Sequence, residues 1–346
     1  MQERPIFIAG ADRSGTSLMY ALLASHPDIS MVRRSNMWRY FYGRYGDLAQ
    51  EENFEACLAT MLRYKRLEHL NPDPERIRRE YWQGQPGYGA LFALFHRHLA
   101  ESRGKSRWGD KSLHTEHYAG DIFAEYPEAR IIHMIRDPRD RYASILKRYD
   151  KEQRRLGSAV GRWLMSIEAG EENLRRYPER YRMVRYETLA QQPEATLQET
   201  CAFVDVPYEP VMLTMKGSTR HQEAGNSSFG DIQPGVISTK SINRYRRVLQ
   251  RDDYWFLQSY LSEAMARHDY AQEPVEAPIA RRMQFYLLER PLNTMRVRGW
   301  ISRAASQVRQ GEPIPANRLE GPAANGQNGQ QAATRAVRAG EVAESS

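Results

Sequence analysis

The chain has 346 residues and a net charge of +7, with 41% apolar and 27% charged residues. That length admits one large α/β domain with appendages or two small domains, and the mixture is that of an ordinary globular protein. Two cysteines, Cys57 and Cys201, are too few for a disulfide framework or a zinc site, so a reducing, cytoplasmic setting is the default expectation.

The N-terminus enters a strand-like run at once, Pro5 to Ala9, without the basic and apolar regions of a signal peptide. The expected strand, Ile6 to Ala9, leads into Gly10-Ala11-Asp12-Arg13-Ser14-Gly15-Thr16-Ser17, and Leu18 to Ala24 has the composition of a buried helix. His26-Pro27-Asp28 ends it, because the residue before proline disfavours the helical region.

Residues 37–105 read as a helical, irregular insertion, with turn signals at Asn71 to Pro74 and Gly84 to Gly89. Most of its aromatics (Trp38, Tyr40, Phe41, Tyr42, Tyr45) are expected to pack internally, and the insertion as a whole to shape an acceptor pocket. Ala129 to Ile135 reads as a buried parallel strand, followed by Arg136-Asp137-Pro138-Arg139-Asp140 and a helix over about 139–149. Further helices are expected at roughly 158–177, from Pro193 to Val204 and at 252–268, with a strand at 181–186. Strands alternating with helices imply a parallel sheet with right-handed crossovers. Residues 216–243 are rich in Gly, Ser and Asn and read as a mobile loop.

Three units follow: a main domain over 1–275, a basic amphipathic extension over 276–310, and a tail over 311–346 whose composition cannot offset its ordering entropy. Residues 279–309 hold seven arginines and one glutamate, which is most of the net charge. A nucleic-acid partner is therefore not expected, since its face would spread basic residues over the main domain. The extension has three readings: an amphipathic element on an anionic membrane surface, a helix packed on the core with a solvated basic face, or a binder of anionic glycans. No apolar run reaches the ~20 residues of a membrane span.

Gly10 and Gly15 have Walker A spacing, in which backbone N–H groups and a helix N-terminus wrap a phosphate. Thr16 stands where the Walker lysine belongs, so magnesium-dependent nucleotide hydrolysis lacks its cation. The cation is Arg13 instead, and Ser14, Thr16 and Ser17 offer hydroxyl donors. A second anion site is expected where Arg136 closes its strand and Ser144 lies two turns into the next helix, an arginine fork suiting a phosphate. Asp137 and Pro138 suit the N-cap and first turn of that helix.

Residues 5–27 resemble the 5′-phosphosulfate loop of the PAPS (3′-phosphoadenosine 5′-phosphosulfate) dependent sulfotransferases, and Ile135 to Ser144 resembles their 3′-phosphate signature. Trp108-Gly109-Asp110-Lys111-Ser112 is similar to the family's lysine-containing strand end. Val184 to Leu189 is similar to its Tyr-Glu-x-Leu segment, which places Tyr186 near the nucleotide. Ser238-Thr239-Lys240-Ser241, with Arg244-Tyr245-Arg246, is similar to its late closing loop, with tyrosine in place of tryptophan. The matches span most of residues 5–260 and lie closer to the tyrosylprotein-type and bacterial branches than to the cytosolic steroid and phenol enzymes, which carry lysine at the position of Arg13.

The resemblance implies a P-loop NTPase-like three-layer α/β fold with a central parallel sheet, a helical insertion and a C-terminal helical extension. It implies in-line transfer of a sulfuryl group from PAPS to a hydroxyl or amine, releasing PAP (3′-phosphoadenosine 5′-phosphate), with no metal. Arg13 meets the charge that develops on the bridging oxygen, with Lys111 and Ser238 assisting. Ser14, Gly15, Thr16, Ser17, Arg136, Ser144, Tyr186, Ser238, Thr239 and Lys240 join Arg13 in holding the donor. Tyrosylprotein enzymes place a glutamate base shortly after His-Pro. Here that stretch is Ile29 to Ser35, with Arg33 and Arg34 and no acid, so the candidates for the base are Asp110, His114 and His117. A glycan or glycolipid acceptor accords with two of the readings of 279–309. The competing functions are a P-loop kinase or NTPase and a non-catalytic PAP(S)-binding protein.

Overall fold

The computed structural model describes residues 3–149, 155–226, 234–274 and 277–320. Five parallel strands form the sheet in the order β2-β3-β1-β4-β5: β1 Ile6–Ala9, β2 Ile29–Arg33, β3 Arg107–Lys111, β4 Arg130–Ile135 and β5 Tyr181–Arg185. Alternation along β1 sends Ile6 and Ile8 to one face and Phe7 and Ala9 to the other. On the first face they meet Leu18, Leu22 and Leu197 from the helices Thr16–Ala24 and Pro193–Val204. On the second face, Phe7 sets its ring edge-on to Trp38 and Trp108, at 6.3 and 5.9 Å between centroids. Helices on both faces bury the sheet, as an all-parallel sheet requires.

The expected insertion contains the helices Glu51–Arg63, Pro74–Trp82 and Tyr88–Ser102. Asp73 caps the second by accepting hydrogen bonds from the N–H groups of Glu75 and Arg76. Four details differ from the sequence reading. Residues 29–33, inspected only for a missing acid, form β2. The helical region at 252–268 breaks into Arg251–Tyr260 and Ser262–Arg267. Within 216–243, Thr219–Ala224 is a short helix, and 227–233 lie outside the described residues. Residues 312–320, at the start of the expected tail, run back along the insertion, where Leu319 bridges Tyr64 and Arg44 donates to the Glu312 carbonyl at 2.6 Å. Residues 321–346 lie outside the described residues. No described helix is long and apolar enough to cross a membrane.

The chain leaves β1 toward β2 and β3 on one side and later places β4 on the other. The carboxyl ends of β1 and β4 thus flank a topological switch point, where open α/β sheets hold ligands.

Candidate active site

The loop after β1 carries three residues in left-handed backbone: Gly10 (φ 123°), Arg13 (φ 67°) and Gly15 (φ 92°). Both glycines are required. A Cβ at Gly10 stands 2.3 Å from the Met134 carbonyl oxygen, and one at Gly15 stands 2.5 Å from the Tyr186 ring. Buried Arg141 fastens the loop from below, donating to the Asp12 carbonyl at 2.8 Å and to the Asp12 carboxylate at 2.5 Å. Burial raises the Asp12 pKa, but the Arg141 charge and hydrogen bond outweigh it and leave the carboxyl below its usual range. Glu116, fully enclosed, accepts from Gly10 N at 3.2 Å and from Ser166 Oγ at 2.7 Å. Gly15 caps the helix Thr16–Ala24 without a side-chain bond; the Leu18 N–H turns back to the Gly15 carbonyl at 2.9 Å, and the Thr16 and Ser17 N–H groups face an anion at the helix start.

The second anchor meets the first directly. Asp137 caps the helix Pro138–Arg148 by accepting from Arg139 N, and Ser144 on that helix accepts from Arg13 Nε at 2.9 Å. Arg136, at the end of β4, donates to the Arg13 carbonyl at 3.2 Å and to the Ser241 carbonyl at 2.8 Å. Its guanidinium lies 4.4 Å from the Tyr186 ring centroid, and its Nε is buried with no partner among the described residues. A buried donor left open on a cationic fork is what a phosphate oxygen answers. The Arg139–Asp137 pair beside it is buried rather than superficial, at 2.6 Å.

The late loop closes the third side. Asp140 accepts from the backbone N–H groups of Asn243 and Tyr245 at 2.7 and 2.9 Å, and Tyr186 Oη bonds Ser241 Oγ at 2.5 Å. The result is an open cleft between the loop after β1, the end of β4 and the late loop. Of the residues singled out by sequence, Arg13, Gly15, Thr16, Ser17, Arg136, Ser144 and Tyr186 line it. Ser14 is buried beneath it. Ser238 is held by Asn226, which accepts from Ser238 N at 2.8 Å and donates to its carbonyl at 3.0 Å. Thr239 and Lys240 follow, and the lining residue of that stretch is Ser241. Asp140, Ser241 and Arg244 also line the cleft; sequence reasoning quoted them within the signature after β4 and the late loop but gave them no role. It passed over His221 and Asn226, for which the only signal was the composition of residues 216–243.

Asp110, Lys111 and His114 lie at the end of β3, outside the cleft lining. Asp110 is buried and accepts from Ser35 Oγ and Ser112 Oγ, each at 2.8 Å. Lys111 pairs in register with Ile8 of β1 and Arg33 of β2. Burial lowers its ammonium pKa to about 8; Arg34 adds to this, while Asp110 opposes it. Burial holds His114 down at about 4, helped by Arg39. His117, its ring 5.9 Å from that of His114, is also depressed by burial, and its Nε2 has no partner among the described residues.

Residues 5–210 match the sulfotransferase family model. The chain is 27% identical over 235 residues to a protein-tyrosine sulfotransferase of Drosophila melanogaster, covering 65% of this chain and 41% of that protein. It therefore spans well under half the length of that curated relative. Among solved structures it is similar to the sulfotransferase domain of the Synechococcus PCC 7002 olefin synthase, with TM-score 0.49 and 20% identity, covering 75% of this chain and 96% of that domain. It is also similar to a mouse sulfotransferase complexed with PAP, with TM-score 0.43 and 12% identity, covering 78% and 87%.

Proposed function

This chain belongs to the sulfotransferase family, and on that premise we propose that it transfers a sulfuryl group from PAPS to a hydroxyl or amine of an acceptor. The observation that carries the reading is the meeting of two cationic anchors in one cleft, Arg13 on the loop after β1 and Arg136 after β4, with Arg136 Nε still open. The loop of Gly10 to Ser17 holds the 5′ end of the donor, and Arg136 with Ser144 holds its 3′-phosphate. The donor supplies the chemistry: the bond from sulfur to the phosphate oxygen breaks as the bond to the acceptor oxygen or nitrogen forms. Arg13 offsets the charge on the departing oxygen, and Lys111 and Ser238 support it from the neighbouring strand and the late loop.

The acceptor must also lose a proton. Asp110 and His114 lie outside the cleft lining, whereas His221 is part of it. Its Nδ1 is bonded to Ser218 Oγ at 2.9 Å, and in the tautomer whose Nδ1–H donates to that hydroxyl, Nε2 is the basic atom. Burial lowers its pKa to about 4, and Arg220, Arg33 and Lys111 reinforce the shift. The ring is therefore neutral, as a base must be, throughout the physiological range. Replacing His221 with alanine is expected to lower kcat about a hundredfold with little change in PAP affinity. In the wild type, the acid limb of kcat/KM is expected to fall near pH 4, because only the unprotonated ring accepts. Burial holds His114 in the same range, so the variants separate the two: an acid limb near pH 4 that persists in the His221 variant and disappears in His114→Ala assigns the base to His114 instead.

Arg33 closes β2 in register with Lys111, and Arg34 follows it, both exposed. Cations stand where a tyrosylprotein enzyme has its acid, so the acceptor class is read as a glycan or glycolipid bearing an anionic group near the reacting hydroxyl. The donor assignment is tested by calorimetric titration with PAP, ADP and ATP, with and without magnesium. Tight metal-independent binding of PAP over ADP is the expected result. Equal affinity for ADP, or a preference for magnesium-ATP, overturns the donor in favour of a kinase or NTPase. PAP binding without transfer to any sugar or lipid acceptor points to a non-catalytic binder.

A further inference from the structure

We propose that the helical segment 279–296 is a docking face for an anionic lipid bilayer surface. The segment runs through Ile279–Gln284, a π turn at Phe285–Glu289 and Arg290–Gln310. One side is fixed to the domain. Phe285 is fully buried against Trp255 and Phe256, at 4.7 and 5.8 Å between ring centroids, and Trp300 packs so closely on Gly161 that a Cβ there meets its ring at 2.6 Å. The helix therefore cannot turn to hide its other side.

That other side is apolar and uncovered. Ile279 is 76% exposed, Leu287 67%, Leu288 60% and Met295 65%, with Met283 and Leu292 about half exposed. These residues make up most of the large exposed hydrophobics of the described chain. Ile279, Met283 and Leu287 recur every four residues, and so do Leu288 and Leu292, with Met295 three further on. In an unbroken α-helix the first run and Leu292 point in opposite directions. The extra residue of the π turn rotates the second run back onto the side of the first. A contiguous apolar face of this kind marks an interaction surface rather than scattered surface leucines.

Charge selects the partner. Arg281, Arg290 and Arg298 pair with Glu289, Glu263 and Glu168. Arg282, Arg296 and Arg303 are exposed and make no ion pair among the described residues. A second copy meeting this face across a two-fold axis brings the same arginines together, and the sole acid of 279–309, Glu289, is already engaged. A soluble polyanion answers the arginines but leaves the leucines in water. An anionic bilayer satisfies both, taking the apolar side chains into the acyl boundary and the guanidinium groups at the phosphate level. This inference does not depend on the chemistry of the cleft.

The test is flotation of the full chain with vesicles of phosphatidylcholine alone and of phosphatidylcholine mixed with phosphatidylglycerol, over a range of salt. Binding to the mixed vesicles, weakening as salt rises, is expected. The double variant Arg282→Glu, Arg296→Glu is expected to lose about tenfold or more in partitioning, and Leu287→Asp, Leu292→Asp a similar factor, with PAP affinity unchanged in both. Equal flotation on neutral and mixed vesicles, or none on either, overturns the proposal. So does a dimer in sedimentation that Leu287→Asp, Leu292→Asp dissociates in a chain indifferent to vesicles, which assigns the face to self-association.

Discussion

Arg136→Ala is expected to weaken PAP binding about a hundredfold or more while changing ADP binding by only about threefold. The guanidinium is buried at the end of β4 with Nε unsatisfied, and a 3′-phosphate supplies the missing acceptor together with the opposite charge. Charge-assisted hydrogen bonds contribute roughly 1.5–3 kcal/mol each, so losing a bidentate pair reaches two powers of ten. ADP has no 3′-phosphate and reads only the indirect effect of the mutation. That effect exists, because Arg136 also donates to the carbonyls of Arg13 and Ser241 and so ties the loop after β1 to the late loop. Arg136→Lys keeps the charge but loses the fork, and is expected to recover only part of the affinity. Isothermal titration on all three proteins decides the matter. If PAP and ADP weaken equally in Arg136→Ala, the residue braces the two loops and the 3′-phosphate sits elsewhere.

Both anchors were legible in the sequence because each is local. A strand, a turn with fixed glycines and a helix lie within Ile6 to Ala24, and Ile135 to Ser144 repeats the logic with a strand end, an Asp-Pro cap and a hydroxyl. Their meeting was not local: Arg13 reaches Ser144 only because β1 and β4 are neighbours in the sheet. The strand β2 escaped notice because it is five residues long, follows a proline turn closely and ends in Arg33 with Arg34 just beyond, which read as surface. The late loop was read by its resemblance, but which of its residues reach the cleft was hidden for a different reason. Their position is set by Asp140 holding the backbone N–H groups of Asn243 and Tyr245 from more than a hundred positions away, and backbone groups carry no sequence signature. Glu116 belongs to the same class, since its partner is the backbone of Gly10.

Removing the Arg13 side chain is expected to lower kcat by about a hundred- to a thousandfold, with a much smaller change in PAP affinity. The argument rests on what differs between ground and transition states. On the proposed reading the donor already carries its phosphate charge when bound, and Arg136 with the Thr16 and Ser17 N–H groups answers it. Charge accumulates on the bridging oxygen only as sulfur departs, and the group placed for that oxygen contributes to rate rather than to binding. Alanine alone is an ambiguous probe, because position 13 sits at φ 67° and a side chain there carries backbone strain of its own. Arg13→Gly removes the side chain and relieves that strain, so agreement between the alanine and glycine variants assigns the loss to the guanidinium. Arg13→Lys restores the charge without the contact to Ser144 and is expected to fall between wild type and alanine. A kcat within about threefold of wild type in both truncations moves the role to Lys111, a buried ammonium at the end of β3 on the strand beside β1.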